Sequence, residues 1–387
     1  MKMIENLIKY EAALLLRKTL GIGCRRICKI LNEIGFIVSE NTIRSWLYHN
    51  KAPKGTSPLI KALFYSDAYA LALKLKDKNP LWGATRIRSE VKRRLNIWVP
   101  KTTVYYWIKK GTKPGTTPIR LNPELGYIIG VLLSDAKKNI KAILKVKDKD
   151  YAEEYLKALN KVTGVNYSLG ENEQYYVVHV HGSALRYIYR SKLWKVIGYV
   201  YSREFLQGLY DGDGSVGVRA SKEFKVTIDL TNSNLDLLDF VQKILKQKYS
   251  IRTARNIHRK DGEQVSIRGK LSTVRKTEIL SIYRKDDLIK FCENIRFRIK
   301  RKQEKLIDAL NILEKYGWSE KAVEEWKKRY QKVNNKWIKK SLNLYNKQNT
   351  KIEKLKSISL SEKENNSCAG RDSNPGSAAR EAAILPG

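Results

Sequence analysis

The chain has 387 residues, enough for two or three domains, with 42% hydrophobic and 10% aromatic residues to build cores. Its formal net charge of +37 is spread along the chain and points to a polyanion, most simply nucleic acid. A membrane surface is set aside, since no signal peptide and no long uncharged span is present; four cysteines without a CxxC pair, remote from the four histidines, exclude a disulfide framework and a zinc site and fit a cytoplasmic, reducing setting.

Residues 1 to 115 repeat internally. Gly23-Cys24-Arg25-Arg26-Ile27 matches Gly83-Ala84-Thr85-Arg86-Ile87, and Val38 to Leu47 matches Val99 to Ile108. Each copy reads as a short helix, a turn and a second helix, opened by a capping Ser39 or by Pro100 in its first turn. The pattern is that of a helix-turn-helix, twice. In such a motif the start of the second helix enters the major groove, so Glu40, Asn41 and Arg44, with Lys101, Thr102 and Tyr105, are the exposed candidates. Ile43, Trp46, Val104 and Trp107 are expected in the core. Lys51 to Ser57 and Gly111 to Thr117 read as linkers.

Next comes a helix opened by Asn122 and Pro123, with Gly126, Gly130 and Ser134 four residues apart on one face and Asp135 at its end. A second helix, with Ser202 as expected cap, carries Gly208 and Gly212 at the same spacing and ends on Asp213. Glycine inside a helix costs about 1 kcal/mol relative to alanine, so repeated small residues indicate close backbone approach, each helix to the other. A carboxylate at a helix C-terminus is disfavoured by about 0.3–1 kcal/mol, and pairing the helices brings two together. A hard divalent cation with carboxylate, carbonyl and water ligands resolves that conflict.

Between the two helices, Ile140, Ala142, Leu144 and Val146 alternate with Lys141, Ile143, Lys145 and Lys147. Tyr176, Val178 and Val180 alternate with Tyr175, Val177, His179 and His181. After the second helix, Val226, Ile228 and Leu230 alternate with Lys225, Thr227 and Asp229. Period two with one apolar face predicts half-buried strands. Further strands are expected over Ile251 to His258 and Glu263 to Leu271 around a hairpin at Lys260-Asp261-Gly262, and helices over Tyr151 to Val162, Leu235 to Lys248 and Asp286 to Asn294. Sheets with one apolar and one basic face suit a duplex groove. The candidates for contact are Lys141, Lys145, Lys147, His179 and His181, then Arg219, Lys225, Arg252, Arg255, Gln264 and Arg268. Residues 311 to 360 are lysine-rich and expected to be helical, and the last twenty are expected to be disordered. Arg371 to Gly376 can be encoded by a run complementary to the T-arm of a transfer RNA gene, so the frame is expected to run antisense into such a gene; downstream sequence lacking one excludes this.

The stretches Gly130 to Ala136 and Gly208 to Gly214, with their apolar surroundings, resemble the paired motifs of LAGLIDADG homing endonucleases in the single-chain, two-motif form. Ala136 departs from the usual glycine. The resemblance spans roughly 122 to 310. It implies an α/β (α+β) fold of two pseudo-symmetric αββαββα halves forming a DNA-binding saddle, here preceded by small all-α helix-turn-helix units. The expected organisation is helix-turn-helix units at 1–56 and 57–116, LAGLIDADG halves at 117–200 and 201–312, a basic helical tail at 313–366 and a disordered tail at 367–387.

The resemblance further implies site-specific, metal-dependent hydrolysis of both strands of a long duplex across the minor groove, as in intron or free-standing mobile elements. Asp135 and Asp213 would hold two or more Mg²⁺ or Mn²⁺ ions, joined by the carbonyls of Ser134 and Gly212. A basic residue often stands near the site in this family. Lys147 matches in the first half, whereas the second half has Thr231-Asn232, so Lys302 is the substitute candidate. A monomer is expected. The alternatives are an RNA maturase holding intron RNA on the same saddle, or a regulator that binds DNA without cutting.

Overall fold

A helix pair of the N-terminal repeat leaves an apolar face that two helices alone cannot cover, and a third helix covers it in each unit. The computed structural model describes residues 2–340 apart from 50, 136–142, 173, 181, 268–269 and 334–335. Lys141, His181, Arg268, Ala136 and the tail beyond 340 therefore lie outside the described residues. The first unit is α1 (Lys2–Leu20), α2 (Cys24–Glu33) and α3 (Glu40–Tyr48); the second is α4 (Pro58–Lys78), α5 (Ala84–Leu95) and α6 (Lys101–Lys110). Ser39 Oγ accepts from Thr42 N at 3.2 Å, and Ser57 caps α4 by accepting from Ile60 N at 3.0 Å. Pro100 is the cap residue of α6 and not part of its first turn. The helix α4 escapes a periodicity reading because it is buried on several sides, through Leu59, Ile60, Ala62, Tyr65, Ala68 and Ala72. Ile43, Trp46, Val104 and Trp107 are buried.

The first motif helix is α7 (Pro123–Leu133), capped by Asn122 Oδ1 accepting from Leu125 N at 3.3 Å. It is followed by β1 (Leu144–Val146), α8 (Lys149–Thr163), β2 (Gly170–Asn172), β3 (Tyr175–Val178), α9 (Ser183–Arg190) and α10 (Trp194–Val200). The strands form an antiparallel sheet of order β1-β3-β2, with Leu144 opposite Val178. Leu144, Val178 and Val180 are buried, as the alternation requires.

The second half runs α11 (Ser202–Gly212), β4 (Gly214–Ala220), β5 (Phe224–Asn232), α12 (Leu235–Tyr249), β6 (Ala254–Arg259), β7 (Gln264–Ile267), β8 (Lys270–Thr273), β9 (Thr277–Ile282) and α13 (Lys285–Asn294). Tyr201, not Ser202, is the cap residue of α11; the Ser202 hydroxyl instead shares a 3.0 Å hydrogen bond with the Tyr249 hydroxyl. The sheet order is β4-β5-β9-β6, all antiparallel.

The expected hairpin at Lys260-Asp261-Gly262 is corrected. Strand β6 pairs with β9 (Ala254 opposite Ser281) and β7 with β8 (Gln264 opposite Thr273), so one long ribbon runs out and back. Asp261-Gly262 interrupts it midway, where Gly262 takes φ +78° and Lys276 N donates to Asp261 Oδ1 at 3.2 Å. The expected strand from Ile251 begins only at Ala254.

Helices α14 (Lys300–Tyr316) and α15 (Glu320–Arg329) follow. Met1–Trp326 forms one compact unit, and the chain from Lys327 groups as a second. In the latter the expected helix gives way to a hairpin of β10 (Tyr330–Val333) and β11 (Lys336–Lys339), with Tyr330 opposite Lys339. Tyr330, Val333, Trp337 and Ile338 fall at the spacing of a helix face, so it is the pairing of the two segments, and not the local period, that makes them strands.

Candidate active site between the motif helices

Helices α7 and α11 lie against each other with no side chain between their backbones. A Cβ on Gly130 would meet Leu209 N at 2.8 Å and Gly208 Cα at 3.0 Å. One on Gly208 would meet Val131 N at 3.0 Å, and one on Gly126 the Tyr201 Cβ at 2.7 Å. At the C-terminal end, a Cβ on Gly212 would sit 2.6 Å from Ser134 Cβ and 2.9 Å from the Tyr151 hydroxyl. These contacts explain why the sequence tolerates glycine inside two otherwise apolar helices.

That packing delivers both acids to one end. Asp135 follows the cap residue Ser134, its N–H donating to Val131 O at 3.1 Å; Asp213 is itself the cap residue of α11, its N–H donating to Leu209 O at 2.9 Å. Asp213 Oδ2 accepts from Asn232 Nδ2 at 2.6 Å, and Asn232 Oδ1 in turn accepts from Asn234 N at 2.7 Å, which fixes the amide. Burial pushes the Asp135 carboxyl above the usual carboxylate range, with Lys302 and Tyr151 opposing. Asp135, Asp211 and Asp213 are all electrostatic neighbours of the Tyr151 hydroxyl.

Asp211 carries no spacing signal of its own in the sequence; its place two residues before Asp213 turns it to the other side of the helix. It is 2% exposed and accepts from Tyr127 Oη at 3.0 Å, from Arg298 N at 3.2 Å and from Ile299 N at 3.4 Å. Burial pushes it up to about 6 against the influence of Lys302 and these donors. It thereby holds the entry to α14. Lys302, on that helix, donates to Asp211 O and Gly214 O at 2.6 Å and to Tyr210 O at 3.1 Å. A buried ammonium thus covers the carbonyls at the end of α11, where a cation is favoured. Burial pulls its pKa down to about 8.

Away from the acids, Arg298 ties the first turn of α7 to the middle of α11. Its Nε donates to Gln207 Oε1 at 2.9 Å, its Nη1 pairs with Glu124, and its guanidinium stands 4.1 Å over the Tyr127 ring. Burial works against ionisation of Glu124, but Arg298 and Lys161 outweigh it and hold that carboxyl low. No spacing in the sequence announces Arg298.

The remaining candidates scatter. Lys147 and Lys145 both stand over the Tyr175 ring, at 5.6 and 4.5 Å, and His179 is exposed on the same strand segment. Arg219 and Lys225 are opposite each other on the outward face of β4 and β5, with Lys225 paired to Glu223 at 2.6 Å. Thr227, Asp229 and Ser281 continue that face, Asp229 accepting from both hydroxyls at 2.7 and 2.6 Å. Arg255 is corrected: its register partner is the buried Leu280, so it turns to the helix-covered face, where it pairs with Glu278 and Asp239. Arg252 donates to the buried Asp287 at 2.9 Å. Gln264 is exposed on the ribbon. In the N-terminal units Asn41, Lys101 and Thr102 are exposed, and Arg44 pairs with Glu40 at 2.8 Å.

Among the described residues no group of three or more His, Cys, Asp or Glu side chains converges to hold a metal. The donors at the helix ends are hard oxygens: two carboxylates and the backbone carbonyls of Ser134 and Gly212. That set fits a cation such as Mg²⁺, which binds through one or two carboxylates and keeps water and phosphate oxygens in its shell. No described helix is long and apolar enough to cross a membrane.

A family model described as a LAGLIDADG-like domain matches residues 201–296. The uncharacterized protein MJ0398 of Methanocaldococcus jannaschii is 31% identical over 252 residues, which is 60% of this chain and 89% of that protein. Among solved structures, the homing endonuclease I-DmoI in complex with DNA and Mn is similar at 18% identity and a TM-score of 0.31, over 46% of this chain and 97% of that one. I-WcaI bound to its DNA recognition sequence is similar at 15% identity and a TM-score of 0.32, over 55% and 97%. With both motifs, the helix pair and the mixed helix–sheet halves in place, the chain belongs to the LAGLIDADG family.

Proposed function

We propose that the protein is a site-specific DNA endonuclease that hydrolyses one phosphodiester in each strand of a long duplex. The observation that carries this reading is the delivery of Asp135 and Asp213 to one end of a helix pair whose backbones touch. Two carboxylates at two negative helix ends are a costly arrangement for a scaffold and a useful one for holding cations. Bound divalent ions would supply a water of lowered pKa and stabilise charge on the phosphate. The chain supplies the rest. Asp135 and Asp213 hold the ions, Asn232 orients Asp213, and Arg298 and the glycines fix the two acids relative to each other. Lys302, with its ammonium on three carbonyls, supports the end of α11 and lowers the Asp135 carboxyl electrostatically. Arg219, Lys225 and the ribbon β6–β9 are assigned to the duplex, and the starts of α3 and α6 to further contacts.

The test is a cleavage assay on a DNA library with Mg²⁺ and with EDTA, for wild type, Asp135→Asn and Asp213→Asn. Metal-dependent double-strand cuts lost in both variants support the reading and supply the target. Tight binding without cuts leads instead to the regulator or maturase alternative.

A further inference from the structure

Tyr151 stands at the start of α8, 2% exposed, and its hydroxyl points at the ends of both motif helices. That hydroxyl makes no hydrogen bond of ordinary length and angle, although the Ser134 hydroxyl and the Asp135 carboxylate stand near enough to interact with it. A buried hydroxyl left unpaired costs about 1–3 kcal/mol, so the fold alone gives no reason for it. Its surroundings do. Ser134 and Gly212, whose carbonyls flank the two acids, are its neighbours, and its electrostatic partners are Asp135, Asp211 and Asp213.

The contrast one turn further along the helix is informative. Tyr155 has an equally buried, equally unpaired hydroxyl, but its electrostatic neighbour is Tyr167 and no carboxylate. Tyr210 is a third such case, packed among Phe291 and Phe297. Of these three tyrosines, only Tyr151 has the motif acids Asp135 and Asp213 among its electrostatic neighbours.

We propose that Tyr151 is a positioning residue for the divalent-cation site: its O–H donates to the Asp135 carboxylate when a cation draws that carboxylate toward the end of α11. A phenol, with an ordinary pKa of about 10, keeps its proton near neutral pH and so can act as a donor there. The donor holds one carboxylate oxygen and leaves the other for the ion, the role an outer partner plays at many metal sites. This rests on the endonuclease reading but is separable from it.

The experiment compares Tyr151→Phe with Tyr155→Phe in the full chain. Three readouts are taken: the urea midpoint without metal, Mn²⁺ binding by calorimetry with and without duplex, and the Mg²⁺ concentration that half-saturates single-turnover cleavage. Without metal, both variants are expected to match or exceed wild-type stability, since each loses an unpaired hydroxyl. Only Tyr151→Phe is expected to weaken Mn²⁺ binding and raise the Mg²⁺ requirement, by about 10–100-fold. Mn²⁺ affinity unchanged in Tyr151→Phe, or lost equally in Tyr155→Phe, overturns the proposal, as does a wild type that binds no Mn²⁺. A wild type that binds Mn²⁺ through Tyr151 but cuts no DNA sinks the endonuclease reading and leaves this one standing.

Discussion

Gly130→Ala probes the helix pair directly. The added carbon would lie 2.8 Å from Leu209 N and 3.0 Å from Gly208 Cα, both backbone atoms of a buried helix that no rotamer change can move. Restoring ordinary contact requires the helices to part by roughly 0.5–1 Å, and a gap of that size forfeits about a quarter to a half of each dispersion contact along the seam. Overpacking of this kind costs about 1–3 kcal/mol, while alanine regains up to about 1 kcal/mol of helix propensity. A net loss of roughly 1–2 kcal/mol is expected. The effect on catalysis is expected to be larger, because a displacement near 1 Å at the reacting groups costs about 100-fold. Urea denaturation and single-turnover cleavage would be measured beside Gly115→Ala, where the new carbon meets nothing within 4 Å. A Gly130→Ala protein as stable and as fast as Gly115→Ala would refute the backbone-contact account.

Other consequences are open to measurement. Asn232→Ala removes the donor at 2.6 Å from Asp213 and is expected to slow cutting of one strand about 10–100-fold, seen as accumulation of nicked duplex; equal slowing of both strands would count against it. Lys302→Met removes the ammonium that bonds the Tyr210, Asp211 and Gly214 carbonyls and is expected to cost about 1–3 kcal/mol in a urea titration, with DNA affinity nearly unchanged. Glu11, 1% exposed and bonded by Tyr187 Oη at 2.8 Å, is pushed by burial from 4.5 up to about 7. An acid with a raised folded-state pKa keeps its proton while the unfolded chain releases it. Its stabilising contribution is therefore complete below 4.5 and lost as pH rises toward about 7. Glu11→Gln should flatten the fall in urea midpoint between those pH values, and an unchanged slope would exclude Glu11 as its source.

The motif helices were legible because their signal is doubled: small residues every fourth position, ending on an acid, twice. Leu144, Val178, Val226, Ile228 and Leu230 were legible because a half-buried strand must alternate, and all five are buried. Pairing partners were not. The hairpin at Lys260-Asp261-Gly262 follows from local turn chemistry, yet the ribbon is decided by where β9 lies, and β9 carries no turn signal of its own. Arg255 follows the same rule: a charge on a strand has a face only once the register is known. Arg298 and Tyr151 come to the site from distant elements, and contacts between remote positions leave no trace in spacing. The helix α4 lacks a stripe because it is surrounded, and the tail hairpin is hidden because its apolar residues fall at helical spacing.

The two N-terminal units carry one more implication. Asn96, in a left-handed conformation at φ 52°, donates to Trp46 O at 3.1 Å and accepts from the Tyr10 hydroxyl, so the two units share a joint. The stretch from Lys51 to Ser57 is then not a tether along which two modules search independently. On the endonuclease reading, α3 and α6 act as the fixed jaws of a caliper. The duplex met by one helix is presented to the other at a single separation and rotational phase. Affinity gained this way comes from preorganisation, and it is lost abruptly when the spacing on the DNA is changed by half a helical turn.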